Sequence, residues 1–211
     1  IMILPRHVLG GKGYISPSDK LNIAGIGVRQ WGMGANNLSQ CVTENIVALC
    51  DVDQKQAAPT YKKYPKAKVY KDFRIMLENQ KDIDAVIVAT PDHNHAVITM
   101  LAMKMGKHIY CQKPLTHTVY EARMITEAAK KYKVQTQMGN QGRSSDEIRS
   151  LKEWIDDDAI GKVREVFAWT DRPVGGHEWD TFAVKAMSKD KPPIPEGLDW
   201  DLWLGPAPYR D

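Results

Sequence analysis

Residues 21–32, LNIAGIGVRQWG, decide the fold. An apolar run of strand length ends in two glycines and leads towards a helix. Gly25 suits the tight turn, and Gly27 lets backbone N–H groups approach a pyrophosphate at the helix N-terminus. Gln30 stands where the usual G-x-G-x-x-G pattern has its third glycine, and the next glycine is Gly32. Further along, NIVALCD (45–51) is a second apolar run, closed by Asp51. A carboxylate there suits the hydroxyls of an adenosine ribose. A 2′-phosphate beside it would meet about 4 kcal/mol of repulsion per unit charge at ~4 Å and an effective dielectric of ~20, so the expected cofactor is NAD rather than NADP. The competing reading is a plain strand-to-helix turn with a solvated aspartate.

Outward from this stretch, short apolar runs alternate with segments of helical period, the pattern of a parallel sheet with helical crossovers. Strands are expected at 21–27, 45–51, 68–70, 84–90, 108–111 and 134–139. Helices are expected at 93–105, ahead of Gly106, and at 118–131, where Val119, Ala122, Ile125 and Ala129 share a face and Thr118 with Glu121 forms a capping box. A further helix at 145–157 carries Ile148, Leu151, Trp154 and Ile155, and a new strand is expected at 162–170. The fold class is therefore α/β, a doubly wound parallel (Rossmann) sheet followed by the start of an incomplete α+β domain. The expected organisation is an N-terminal arm at 1–20, a dinucleotide-binding domain at 21–140 and the opening of a second domain at 141–211.

Two more loops leave carboxyl ends of strands, where ligands of open α/β sheets collect. ATPDHNHA (89–96) offers Thr90, Pro91, Asn94 and His95, the histidine being either a cofactor neighbour or a helix-capping residue. YCQKPLT (110–116) presents the Lys113 ammonium beside Gln112 and Pro114. Such a lysine polarises a hydroxyl or carbonyl and moves its proton once desolvated. Alone, Lys-Pro is a surface turn; register with the other loops makes it a catalytic candidate. The cofactor-binding set is Gly25, Gly27, Arg29, Gln30, Asp51, Thr90, Pro91, Asn94, His95, Gln112, Lys113, Asn140 and Gln141.

Composition narrows the alternatives. The net charge of +3 is not gathered into a basic stripe, which argues against nucleic acid as a partner. Three cysteines, Cys41, Cys50 and Cys111, suit neither a disulfide framework nor a zinc site and read as buried thiols, so no metal is expected. No stretch has the length of a membrane span. The opening IMILPRHVLGGKGYISPSDK (1–20) lacks an initiator methionine and reads as an irregular arm from which something upstream has been removed.

The loops, taken in this order, resemble the Gfo/Idh/MocA family of oxidoreductases. The resemblance rests on GIGVRQWG, VALCDVD, DAVIVATPDHNHA, YCQKP, TQMGNQGRSS and LDWDLWLGPAP, and runs through the chain from Leu21. It implies that Gly25, Gly27, Arg29, Asp51, Thr90, Pro91, His95 and Gln112 line the NAD site, with Lys113 between nicotinamide and substrate and Asn140 and Gln141 beside the nicotinamide. Gln112 replaces the family's usual glutamate, and Arg143 stands where similar sequences often have histidine. Family members continue into a mostly antiparallel sheet whose aspartate and histidine serve the acid/base step. None of the six histidines here lies beyond His177, which reads as a loop residue rather than a replacement catalyst.

The implied activity is hydride transfer between NAD and a carbinol of a sugar, cyclitol or derivative, in a protein of which this chain is a part that binds NAD without efficient turnover. The rivals are an NAD-dependent glycosidase working by transient oxidation and a non-catalytic, cofactor-sensing regulator. The opening residues look like the mature start of exported members, implying a periplasmic location, with the cytoplasm as the alternative. A comparable arm clasps a partner subunit in glucose-fructose oxidoreductase, so residues 1–20 are read either as such an arm or as a disordered terminus, and the full-length protein is expected to be a homo-oligomer. Residues 171–211 show no period; their Trp179, Trp200 and Trp203, with Tyr209, are read as packing anchors or sugar platforms bordering the substrate cleft or an oligomer interface.

Overall fold

In a computed structural model of the chain, the structure describes residues 8, 10–12, 15–169 and 191–209. His177 and Trp179 lie outside the described residues. Six parallel strands form one sheet: β1 (Asn22–Ile26), β2 (Asn45–Cys50), β3 (Lys68–Tyr70), β4 (Ala85–Val88), β5 (His108–Gln112) and β6 (Thr136–Gly139). Their spatial order is β3-β2-β1-β4-β5-β6. The chain therefore reverses direction of travel between β1 and β4, and the crevice above that switch point is where a dinucleotide binds.

The helices are α1 (Met33–Gln40), α2 (Gln54–Lys63), α3 (Phe73–Asn79), α4 (His95–Lys104), α5 (Val119–Tyr132), α6 (Asp146–Asp156) and α7 (Trp200–Leu204). Alternation along the strands explains the two layers. Ala24, Ile26, Val86 and Val88 face Met76 and Leu77 of α3, Ile98 and Met103 of α4 and Ile125 of α5. Ile23, Leu49 and Ile87 face the other way, onto Leu38 of α1 and Ala57 of α2. Both faces of every central strand are thus apolar, as a doubly covered parallel sheet requires.

Local chemistry sets the helix starts. Asp53 accepts from Gln56 N–H and Asp72 from Arg74 N–H, each closing an orphan donor of a first turn. On α5 the Thr118–Glu121 capping box forms as expected. Of the expected face, Ile125 is buried and Ala129 packs against the core, joined by Ala128, whereas Val119 is exposed. Val119 is the first helical residue, in the exposed opening turn.

Two units emerge: residues 1–140 with 194–210, and residues 141–193 with 211. The expected single piece 141–211 is thereby corrected, because hydrogen bonds and an ion pair described below return residues 194–209 to the sheet. In the second unit, a 3-10 turn at Gln141–Ser144 precedes α6, whose Leu151, Trp154 and Ile155 are exposed. The expected strand at 162–170 does not form over its described residues 162–169. Among the described residues no neighbouring strand pairs with it, and a strand without a ladder leaves its backbone groups to water.

Of the three cysteines, Cys50 and Cys111 are buried and Cys41 is only partly so. Burial pushes the Cys111 thiol up to about 11 and raises that of Cys50 further, so neither is a nucleophile at neutral pH.

Candidate nucleotide and active site

The carboxyl ends of β1, β2 and β4 enclose a cavity of about 550 Å³. Its floor is the turn after β1. Gly27 has φ +79°, and a Cβ placed on it would stand 2.6 Å from Ala89 O, so the turn tolerates no side chain. The Gly27 N–H donates to Cys50 O at 2.9 Å and belongs to the sheet. A pyrophosphate would therefore meet other N–H groups of the turn, with Gly27 supplying the close approach and not the donor.

The turn is longer than the motif suggests: β1 ends at Ile26, and α1 begins at Met33 with Gly32 as its N-cap. The third glycine's packing role is filled by Gly34, whose Cβ would collide with Gly27 O. The signal was present in the sequence as a glycine displaced along the chain. Gln30, at the position of the motif's third glycine, does not line the cavity; its backbone N–H donates to Gln56 O at 3.1 Å. Arg29 and the exposed Trp31 stand at the cavity's rim.

Asp51 is buried at the end of β2 and accepts the Asp53 N–H at 2.9 Å. Burial raises its carboxyl above the ordinary value, against the opposing pull of the backbone N–H of Asp53 and the backbone of Val28. A ribose hydroxyl pair offered to this carboxylate supplies the donors that burial has removed.

Thr90 and Pro91 line the same cavity, and Thr90 Oγ1 is buried without a hydrogen-bond partner. An orphaned hydroxyl beside the crevice, together with a cradle that a Cβ would fill, fits a dinucleotide. Asn94 also lines the cavity, but its Nδ2 donates to Trp203 O at 2.9 Å.

His95 is placed differently from expectation. It is 1% exposed, with Nδ1 2.6 Å from Pro114 O and Nε2 2.8 Å from Thr90 O. Both ring nitrogens face backbone carbonyls, so the ring ties the Thr90 loop to the Lys113–Pro114 loop instead of meeting a cofactor. Gln112 is likewise buried, donating from Nε2 to Asn37 Oδ1 at 2.7 Å, and packs against Gly139. Lys113, on a cis peptide to Pro114, and Asn140 are exposed at the β5 and β6 ends of the same sheet edge. Gln141 and Arg143 belong to the 3-10 turn that opens the second unit.

Sequence reasoning missed the cavity's last wall. Leu198, Leu202 and Trp203 line it from a segment expected to lack regular structure. There α7 forms, N-capped by Asp199, whose side chain accepts from Leu202 N–H. Five residues are too few for periodicity to register, but Asp199 three positions before Leu202 is the cap signal that marks it.

Among the described residues there is no group of histidine, cysteine and carboxylate side chains placed to hold a metal ion, and no helix long and apolar enough to cross a membrane.

Comparison with known proteins agrees with the geometry. Residues 21–140, more than half of the chain, match the family model described as "Oxidoreductase family, NAD-binding Rossmann fold". Inositol 2-dehydrogenase of Salmonella paratyphi B is 30% identical over 149 residues, covering 68% of this chain and 43% of that protein. D-glucoside 3-dehydrogenase of Escherichia coli is 28% identical over 183 residues, covering 86% and 52%. The crystal structure of myo-inositol 2-dehydrogenase from Lactobacillus plantarum superposes with a TM-score of 0.63 at 26% identity, over 68% of this chain and 43% of that one. This chain thus spans about half the length of the relatives it matches. With the NAD-binding Rossmann domain matched from Leu21 to Asn140, the chain belongs to the Gfo/Idh/MocA oxidoreductase family.

Proposed function

We propose that the whole protein oxidises a carbinol of a sugar, cyclitol or derivative reversibly with NAD, and that this chain supplies its cofactor half. The supporting observation is the single His95 side chain that fixes two loops at once, so that the dinucleotide crevice and Lys113 stand in register on one sheet edge. Bound in this crevice, NAD would supply the hydride acceptor for the carbinol carbon. Of this chain's residues, Asp51 holds the adenosine ribose, the Gly27 turn and Thr90 Oγ1 hold the linking groups, and Gln112 fixes the floor of β5 through Asn37. Lys113 takes or returns the hydroxyl proton at its Nζ. The dehydrogenase names of the relatives favour net oxidation over the glycosidase and regulatory readings.

The reading extends to export to the periplasm and to homo-oligomerisation, both supported by the likeness of the opening residues to exported family members. Cell fractionation and light scattering on the full-length protein test these two points; a cytoplasmic or monomeric protein removes them.

The central test incubates the full-length protein with NAD and a panel of sugars and cyclitols. NADH accumulation is expected, and release of an aglycone without net NADH would overturn the dehydrogenase reading in favour of the glycosidase.

A further inference from the structure

Residues 194–209 are remote in sequence from the sheet, yet they cross its carboxyl edge directly above the cavity. On one side the crossing is fixed at β2 and β3. Leu198 bridges Asp53 in antiparallel fashion, Gln54 N–H donates to Gly197 O at 3.1 Å, and Asp199 N–H donates to Val52 O at 2.9 Å. Lys71 Nζ pairs with the Asp199 carboxylate at 2.9 Å. On the other side it is fixed at the loop after β4: Trp203 O accepts from Asn94 Nδ2 and lies 2.9 Å from His93 Nε2. The Trp203 ring lies 5.2 Å from that of His93 and stacks on Trp200 at 4.9 Å and 11°. The segment is thus anchored on both banks of the crevice, with Leu198, Leu202 and Trp203 lining the gap between.

What lies under that gap follows from strand order. Asp51 ends β2, where the ribose of the adenosine binds, and the pyrophosphate lies over β1. The base attached to that ribose is the flat, uncharged portion of the cofactor, and an apolar wall with an aromatic member is the surface that accepts such a ring. We infer that the 194–209 segment is the missing wall of the adenosine subsite, with Leu198, Leu202 and Trp203 receiving the adenine base and Asp199 and Asn94 holding them in place. The inference rests on the reading of the cavity as the NAD site and adds to it a specificity element that the Rossmann sheet alone does not contain.

The probe is ADP-ribose, which carries the adenosine half without the reacting ring, titrated by calorimetry into the 211-residue chain and its variants. Leu202→Ala removes part of the wall and none of the anchors, and Trp203→Ala removes its aromatic member. Each is expected to weaken ADP-ribose binding about tenfold, in the range of stacking and contact losses for a single base. Asp199→Ala leaves the wall chemically intact and releases its anchor, and is expected to weaken ADP-ribose in the same direction. Melting of the ligand-free variants separates a wall from a brace. A lowered midpoint with ADP-ribose affinity within twofold of the parent overturns the inference. If Trp203→Ala fails to fold, Leu202→Ala decides. Failure of the parent chain to bind ADP-ribose overturns the nucleotide-site reading itself, whereas binding by the parent with indifference in Leu202→Ala overturns only the wall.

Discussion

The two halves of the sheet edge differ in how far this chain completes them. Over β2, β1 and β4 the crevice has a floor at Gly27, a buried carboxylate at Asp51 and an apolar roof from α7. Over β5 and β6, Lys113 and Asn140 are exposed, and the buried polar groups, His95 and Gln112, lie beneath the surface. On the proposed function, the contrast teaches that binding and chemistry are separable: the proposed adenosine side is built from residues all in one unit, while the β5–β6 side presents Lys113 and Asn140 to solvent. Substitutions in the first half should therefore change cofactor affinity in the chain as it stands, and those in the second should not.

The largest break is expected at Gly34. A valine there drives its Cβ and two methyls into the Gly27 carbonyl, so α1 must leave the sheet or the turn must deform. Overpacking of this kind costs typically 1–3 kcal/mol, and more against rigid backbone. Gly34→Val should lose ADP-ribose binding by roughly a hundredfold or fail to fold, measured by calorimetry and circular dichroism. A folded variant of unchanged affinity would show that α1 does not fix the turn.

Next comes His95. Alanine leaves the carbonyls of Thr90 and Pro114 without partners in a buried cavity, and truncations of this kind cost about 2–4 kcal/mol. His95→Ala should lower the melting midpoint, and His95→Gln, whose single amide nitrogen can still donate to one of the two carbonyls, should recover part of the loss. If His95 instead touched the cofactor, affinity would fall more than stability in both variants.

Asp51 has opposite effects on stability and affinity. Its folded-state pKa is raised, first by burial, so the charged form costs stability at neutral pH. That cost is fully present above the raised value and disappears as pH falls through it towards the ordinary carboxylate range. Asp51→Asn should therefore melt higher than the parent at pH 7, with the gap closing on acidification, while NAD binds about tenfold more weakly and its preference over NADP narrows. A variant that melts lower at pH 7 would mean that the hydrogen bonds to the carboxylate outweigh its desolvation.

Much of this was legible in the sequence. All six strands, the Thr118 capping box and Asp51 at a strand end follow from local pattern, because apolar runs, caps and strand-end carboxylates are properties of a few adjacent residues. Three features were not. Gly34 takes over a packing role that the motif assigns to the position of Gln30, and only the longer turn reveals the displacement. His95 reads as a site residue, yet its partners Thr90 O and Pro114 O are backbone atoms, which no side-chain pattern encodes. The return of 194–209 to the sheet depends on Asp53–Leu198 and Lys71–Asp199, contacts between residues far apart in the chain. In the second unit, α6 shows the converse: its spacing correctly marks a helix, but spacing does not specify what covers Leu151 and Trp154.

The smallest expected effect is the sharpest test of the separation. Lys113 is exposed on the β5 side, outside the cavity lined by Asp51, Thr90 and Trp203. Its ammonium lies beyond the groups that hold adenosine, and solvent screens what reaches across at ordinary salt. Lys113→Ala should therefore leave ADP-ribose affinity within about twofold, since 0.4 kcal/mol is all that such a ratio requires. In the full-length protein the same substitution should lower kcat with little change in the NAD constant, because the proton on the carbinol oxygen then lacks its carrier. A substantial loss of ADP-ribose binding would show that the two halves of the sheet edge are coupled, with His95 joining Pro114 to Thr90 as the connection.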